Sequence, residues 1–241
     1  MFVSLVLPTL NEAPNLERMV RQVQAALAGF EYEIIVSDDN SPDGTGRIAD
    51  QLATADPRIR AIHRMRTPGL SPSVVEGWQA ARGDVLAVMD ADLQHPPEVI
   101  AAVASAVQRG ADLVVASRYV AGGEIPTWAF HRRFMSLLGT VAVRVALGSR
   151  VRGVTDPLSG CFAFRRSALD PHQLRPDRGF KILLEVLGRG DFHDVREVPY
   201  QFATRTSGKS KLSLVVALRD IRYAIRIAFE TRRKRKGTLP S

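Results

Sequence analysis

The sequence holds a single cysteine, Cys161. No internal disulfide can form, and a reducing compartment is the expected setting. Followed by Phe162, that cysteine reads as a small packed residue rather than a nucleophile. No cluster of histidine and cysteine has the spacing of a zinc site. No apolar run approaches the length of a membrane span. The nearest stretches, 134–147 and 212–229, are broken by Arg144 and by Arg219, Asp220, Arg222 and Arg226. The opening Phe2–Leu7 run is too short for a signal peptide, and no cleavage-type site follows it. Repeats and low-complexity linkers are lacking, and only residues 237–241 have a disordered composition. Nucleic-acid module motifs and an aromatic stacking platform are missing as well. Nucleic acid is therefore not expected as a partner, although the tail Arg232-Arg233-Lys234-Arg235-Lys236 would suit one.

What is present suits one α/β domain with a modest extension. The chain has 241 residues, 45% of them apolar, and a formal net charge of +8. That charge points to an anionic partner: a nucleotide, a nucleic acid or a phosphate-rich membrane face. Strand signals alternate with helix signals through the first half. Strands are expected at 2–7, 32–37, 59–63, 85–89 and 113–116, and helices at 14–27, 45–52, 72–82 and 96–108. This alternation predicts a doubly wound, mainly parallel sheet. The second half is less regular, with a loop at 119–130, a helix near 131–147 and a turn at 156–160. A helix at 180–187, a strand at 195–202 and a long helix from 212 follow. The expected division is a folded domain over 1–211 and an amphipathic helix with a basic tail over 212–241.

Ligands of open α/β sheets sit at the carboxyl ends of the strands. Polar groups cluster there in this sequence: Pro8-Thr9-Leu10-Asn11-Glu12, Asp38-Asp39-Asn40-Ser41-Pro42-Asp43-Gly44 and Asp90-Ala91-Asp92-Leu93-Gln94-His95. In extended chain, Asp90 and Asp92 point to the same side. Two carboxylates so placed can hold a hard divalent cation, which in turn clamps a diphosphate, and Gln94 offers a further oxygen. Asp39 has two readings, as a partner for a base or ribose, or as an Asx-turn residue before Ser41-Pro42.

These segments, in this order, resemble the family 2 glycosyltransferases of GT-A fold, and within them the polyprenol (dolichol) phosphate mannose synthase group. Gly69-Leu70-Ser71, Met89 through Pro97, Ser117-Arg118-Tyr119, Asp156-Pro157-Leu158-Ser159-Gly160, Gly179-Phe180-Lys181 and Ser210-Lys211-Leu212 extend the likeness. It runs from residue 2 to about 212. The resemblance implies that Pro8, Leu10, Glu12, Ser37 and Asp39 line a guanosine pocket. Asp90, Asp92 and Gln94 would hold Mg²⁺ or Mn²⁺, with Ala91 against the nucleotide. Arg118, Arg132, Ser136 and Arg205 would meet the acceptor phosphate or the donor diphosphate. Lys181 and Lys211 would contact the donor, Lys211 from a closing loop. Asp92, Arg118, Arg132 and Arg205 are the expected catalytic set. Leu10 departs from the tyrosine usual in the group; it can pack on a base but cannot stack as a ring does.

The reaction so implied moves a hexose, mannose from GDP-mannose ahead of glucose, onto a polyprenyl monophosphate with inversion. Such a phosphate carries about −1.5 to −2 charge near neutral pH, so a strong base is hardly needed. Three rivals remain. A saccharide acceptor would need a carboxylate base, for which Asp156 is the candidate. An Asp-x-Asp phosphatase would carry its pair on the first strand, and a basic nucleic-acid binder is the non-enzyme reading. In the last helix Leu214, Leu218, Ile221, Ile225 and Phe229 form one apolar stripe, with arginines on other faces. It packs on the domain or lies in a bilayer interface. Residues near Phe134, Leu138, Val141 and Val145 are a second, weaker candidate surface. The expected location is the cytoplasmic face of a membrane, peripherally, with or without a separate membrane subunit.

Overall fold

The computed structural model describes residues 1–66, 68–124, 141, 144, 145, 147–151, 153–175, 181–201, 225, 226 and 230. Its first half alternates strand and helix: β1 (Phe2–Thr9), α1 (Ala13–Ala26), β2 (Glu31–Asp38), α2 (Thr45–Ala55), β3 (Ile59–His63), α3 (Leu70–Ala80), β4 (Val85–Met89), α4 (Glu98–Gln108) and β5 (Leu113–Ser117). Further described elements are β6 (Cys161–Arg165), α5 (Ile182–Arg189) and β7 (Val195–Pro199). The strands form one seven-stranded sheet in the order β3-β2-β1-β4-β6-β5-β7. Every pairing is parallel except those of β6, which runs antiparallel to both β4 and β5. The doubly wound, mainly parallel architecture is thus as expected.

Alternation along each strand feeds two cores. Val3, Leu5 and Leu7 of β1 face α1, α2 and α4, where Leu16, Met19, Val20, Val23 and Val103 meet them. Val6, Leu86, Val88, Phe162 and Phe164 face the other side, with Val74 and Trp78 of α3 and Leu183 of α5. Strands buried on both faces read as near-continuous apolar runs, and that is why they were legible. β6 was not expected. Its alternating Cys-Phe-Ala-Phe is short, and only its pairing between β4 and β5 makes it a strand.

Smaller differences lie at the helix ends. α3 starts two residues before Pro72, which the first turn tolerates because its first amides have no helical partner. α4 starts at Glu98 rather than Pro96, and α5 covers 182–189 rather than 180–187. The strand expected at 195–202 ends at Pro199, with Gln201 bridging Glu124. The helix expected at 131–147 lies largely outside the described residues; 141, 144, 145 and 147 are helical, and a 3-10 turn, Gly148–Val151, follows. Of the final helix, only 225, 226 and 230 are described, all helical. No helix among the described residues is long and apolar enough to cross a membrane.

Two contacts set where α3 points. A Cβ on Gly77 would stand 2.7 Å from Val6 Cγ1, so the helix lies directly on β1. Trp78 packs edge-on against Phe162 and Phe164, at 5.8 and 5.0 Å between ring centroids. Its Nε1 donates to the Ala87 carbonyl at 2.9 Å. With its body fixed, α3 presents its start to the carboxyl edge of β2.

At the opposite edge, buried Glu33 joins four segments. Its carboxylate accepts from Ser4 Oγ (2.7 Å), the Arg82 amide (2.6 Å) and Arg60 (3.0 Å). Burial pulls the Glu33 pKa up, but these three donors outweigh it and hold the group below its ordinary value of 4.5. Its contribution is therefore complete above that value and is lost as pH falls through the folded pKa. Glu33→Gln is expected to cost about 2 kcal/mol at pH 7. Chemical denaturation from pH 7 to 3 should show the gap between the two proteins closing at acid pH.

Candidate active site

The order β2-β1-β4 brings the three polar strand-end segments side by side. Each carries one non-glycine residue in the left-handed region: Asn11 (φ 60°), Asn40 (φ 54°) and Leu93 (φ 60°). Asparagine adopts that conformation readily, whereas for leucine it costs about 1–2 kcal/mol. Leu93 is held there because its side chain packs on the core beneath the sheet edge.

On the β1–β2 side the two adjacent aspartates divide their work. Asp38 makes the turn, accepting from the Ser41 amide at 2.9 Å and its hydroxyl at 2.6 Å. Asp39 is not the Asx-turn residue. It is buried, Arg64 donates to its Oδ1, and the Gly69 amide donates to its Oδ2 at 2.7 Å. Arg64, equally buried, also reaches Glu76 at 2.9 Å. Asp39 thereby ties the end of β2 to the start of α3. Glu12 precedes α1; its Oε2 accepts from Asn15 at 2.8 Å and its amide donates to Thr45 Oγ1 at 3.0 Å. Pro8 is buried and Leu10 half-buried at the same edge. Ser37, expected to line the pocket, is fully buried behind it, donating to the Ser73 carbonyl at 3.0 Å. Its hydroxyl serves the β2–α3 contact.

The Asp-x-Asp pair does not lie in extended chain. β4 ends at Met89 and residues 91–93 form a bend. Asp92 Oδ1 accepts from the Gln94 amide at 3.1 Å, which folds the loop. Asp90, Asp92 and Gln94 are half-buried and Ala91 is buried. Among the described residues no group of three or more His, Cys, Asp or Glu could hold a metal. A cation here would take two carboxylates and an amide oxygen, a hard set suited to Mg²⁺ or Mn²⁺, with its other positions open to a ligand's oxygens. The next residue, His95, turns inward and stacks on Tyr200 at 5.0 Å. Burial, reinforced by the charges of Arg118 and Lys181, pushes its pKa down to about 3, so the ring is neutral. Burial and the charge of Asp90 likewise raise the Cys161 thiol, which fits its reading as a packed residue.

Arg118 directly follows β5. Its Nε and Nη2 donate to the two oxygens of Asp156 at 2.7 and 2.8 Å. Asp156 is fully buried, and Glu197 of β7 accepts from the Thr155 and Asp156 amides at 2.9 and 3.1 Å. Burial opposes the Arg118 charge, yet Asp156 outweighs it and holds the guanidinium above its ordinary pKa. Lys181 Nζ donates to the Leu158 carbonyl at 2.9 Å, in the same 156–160 turn.

A sequence profile described as Glycosyl transferase family 2 matches residues 4–172, which takes in all three strand ends and that turn. The chain belongs to this family. It is 42% identical over 227 residues to a dolichol-phosphate mannosyltransferase of Pyrococcus furiosus, covering 94% of this chain and 64% of the relative. The chain thus spans slightly under two thirds of that relative's length. It is also 38% identical over 216 residues to a polyprenol monophosphomannose synthase of Mycolicibacterium smegmatis, covering 86% and 80%. Among solved structures, glucosyl-3-phosphoglycerate synthase of Mycobacterium tuberculosis with Mn²⁺, UDP-glucose and phosphoglyceric acid superposes with a TM-score of 0.69. The match covers 95% of this chain and 79% of that one at 22% identity, a likeness of fold.

In this family 2 chain the described expected residues fall along one sheet edge and its neighbouring turn. Arg132, Ser136, Arg205 and Lys211 lie outside the described residues. Sequence reasoning missed the roles of Arg64, Glu197 and Tyr200, none of which sits in a recognisable motif. It named Asp156 only as a base for a rival acceptor. The hidden Arg64–Asp39 pair yields a test. Arg64→Met leaves the buried Asp39 carboxylate with the Gly69 amide but without a counter-charge, and should cost about 3 kcal/mol in urea denaturation. Arg21→Ala, which breaks an exposed pair with Glu17, should leave the midpoint unchanged.

Proposed function

We propose that this family 2 chain transfers mannose from GDP-mannose to a polyprenyl monophosphate, with inversion, to give a β-linked lipid phosphate sugar. The observation that carries this reading is the bidentate pairing of Arg118 with Asp156. Asp156, the carboxylate that a saccharide acceptor would need as its base, is already paired with an arginine, and an acceptor that is itself anionic needs no such base. The relatives named for dolichol- and polyprenol-phosphate mannose transfer support the same acceptor class.

Asp90, Asp92 and Gln94 would hold Mg²⁺ or Mn²⁺, which when bound neutralises charge on the departing nucleoside diphosphate. Pro8, Leu10, Glu12 and Asp39 frame the nucleoside, with Ser37 as its backing. Lys181, with Lys211, adds positive charge at the diphosphate. Arg132 and Arg205, with Ser136, hold the acceptor phosphate, joined by the edge of the Arg118 guanidinium that does not face Asp156. Arginine suits that task because its planar fork donates two hydrogen bonds. An acceptor oxygen bonds to the anomeric carbon as the bond from that carbon to the diphosphate oxygen breaks on the opposite face.

The lipid acceptor stays at the headgroup layer, so the enzyme must reach it there. Residues 212–241 and the face near Val141 and Val145 are the proposed contact surface. Val145 is 78% exposed, Val141 49% and Ile225 43%. Glu230, on the polar side of the final helix, pairs with Arg189 of α5 at 2.7 Å. That contact holds residue 230 against α5, while Ile225 is exposed.

The direct test supplies polyprenyl phosphate in detergent with labelled GDP-mannose or UDP-glucose, with and without chelator. Labelled lipid from GDP-mannose alone, abolished by chelator, is the expected result. Transfer to free saccharide with no lipid product would sink the proposal. Asp92→Ala should slow transfer at least about a hundredfold, with an unchanged melting temperature. Membrane docking is tested separately by flotation. The chain should float with anionic liposomes at low salt and less so at high salt, where surface charge is screened. Removal of residues 212–241 should reduce flotation while leaving GDP binding intact.

A further inference from the structure

The 156–160 turn meets the Asp90 loop at a glycine. β4 and β6 pair antiparallel, with Met89 opposite Cys161. One step further along, Asp90 falls opposite Gly160. A Cβ placed on Gly160 would stand 2.7 Å from Asp90 Cγ and closer still to Oδ2. The Asp90 carboxylate therefore lies in the space that any other side chain at 160 would fill. Backbone conformation does not demand a glycine here, since Gly160 is not among the residues with positive φ. An alanine fits the chain path, and the three atoms nearest its Cβ would all belong to Asp90.

We propose that Gly160 is a positioning residue for the metal site, and that the 156–160 turn sets Asp90 and Arg118 relative to each other. The inference rests on the reading of Asp90 as a metal ligand. One end of the turn grips Arg118 through Asp156, and the other gives Asp90 its room. Leu158, between them, takes Lys181. Ser159 stiffens the exit, its Oγ accepting from the Cys161 amide at 3.2 Å. Three groups assigned to metal, acceptor and donor are thus referenced to five consecutive residues. Crowding at 160 displaces the Asp90 carboxylate, so its effect falls on metal affinity first.

Mn²⁺ titration in the presence of GDP, followed by the EPR signal of free Mn²⁺, tests this without reference to turnover. Gly160→Ala should weaken Mn²⁺ binding by about ten- to a hundredfold, with little change in the metal-free melting temperature. Asp90→Ala should weaken it at least as much. In the double variant Gly160→Ala adds nothing to Asp90→Ala, because the group it crowds has gone. If Asp90→Ala loses Mn²⁺ and Gly160→Ala binds it normally, the positioning role is wrong and the metal reading stands. If neither variant changes Mn²⁺ binding, the metal reading itself falls and the inference with it. Should Gly160→Ala fail to fold, the double variant decides. Recovery of the Asp90→Ala melting temperature supports the crowding of Asp90, and continued failure overturns it.

Discussion

Asp156 carries a carboxylate with no exposure to solvent, and a charge so placed is tolerated only when it is matched. Arg118 matches it with two near-parallel bonds, and Glu197 fixes the two amides at the start of the same turn. That single neutralisation holds the 156–160 turn against the end of β5. The turn in its turn places Gly160 against Asp90 and the Leu158 carbonyl against Lys181. Without the pair, β6 would still find its place between β4 and β5 by apolar packing, but its approach to the sheet edge would be undefined. The proposed metal, donor and acceptor groups all depend on that approach.

A second buried pair works in the same way at the far side of the edge. Arg64 and Asp39 neutralise one another and tie the start of α3 to the end of β2. Both pairs join a strand end to the segment beside it, and both are removed from water. Coulombic attraction is strongest where water is excluded, and directed bonds there fix geometry as well as charge. The strand-end loops between the two pairs are left free to take conformations chosen for their side chains. Leu93 in the left-handed region shows what this costs locally, and its packing on the core shows what offsets it.

The alternation of strand and helix over the first half could be read directly, because strands buried on two faces leave continuous apolar runs and the helices between them repeat at helical spacing. β3 and β4 were legible to the residue, as Ile59–His63 and Val85–Met89. The strand-end segments were legible too, since polar residues that interrupt such runs mark the edge where ligands gather. β6 was not, because Cys161–Arg165 is a short run whose strand character depends on partners about fifty and about seventy-five residues earlier. Asp38 and Asp39 could not be told apart either: neighbours in sequence, they are separated in role by Arg64, which arrives from the next strand.

The sequence by itself determined the family, the sheet that its first half builds and the chemistry clustered at one sheet edge. Those follow from local pattern and from motifs whose residues stand close together. The tertiary structure alone decided which charges neutralise one another, that the Ser37 hydroxyl bonds to Ser73 of α3, and that Asp156 is held by an arginine. It also decided that Gly160 must lack a side chain to leave room for Asp90. Each of these depends on a distance between segments far apart in the chain, and such distances are fixed by packing across the sheet, which no local pattern encodes.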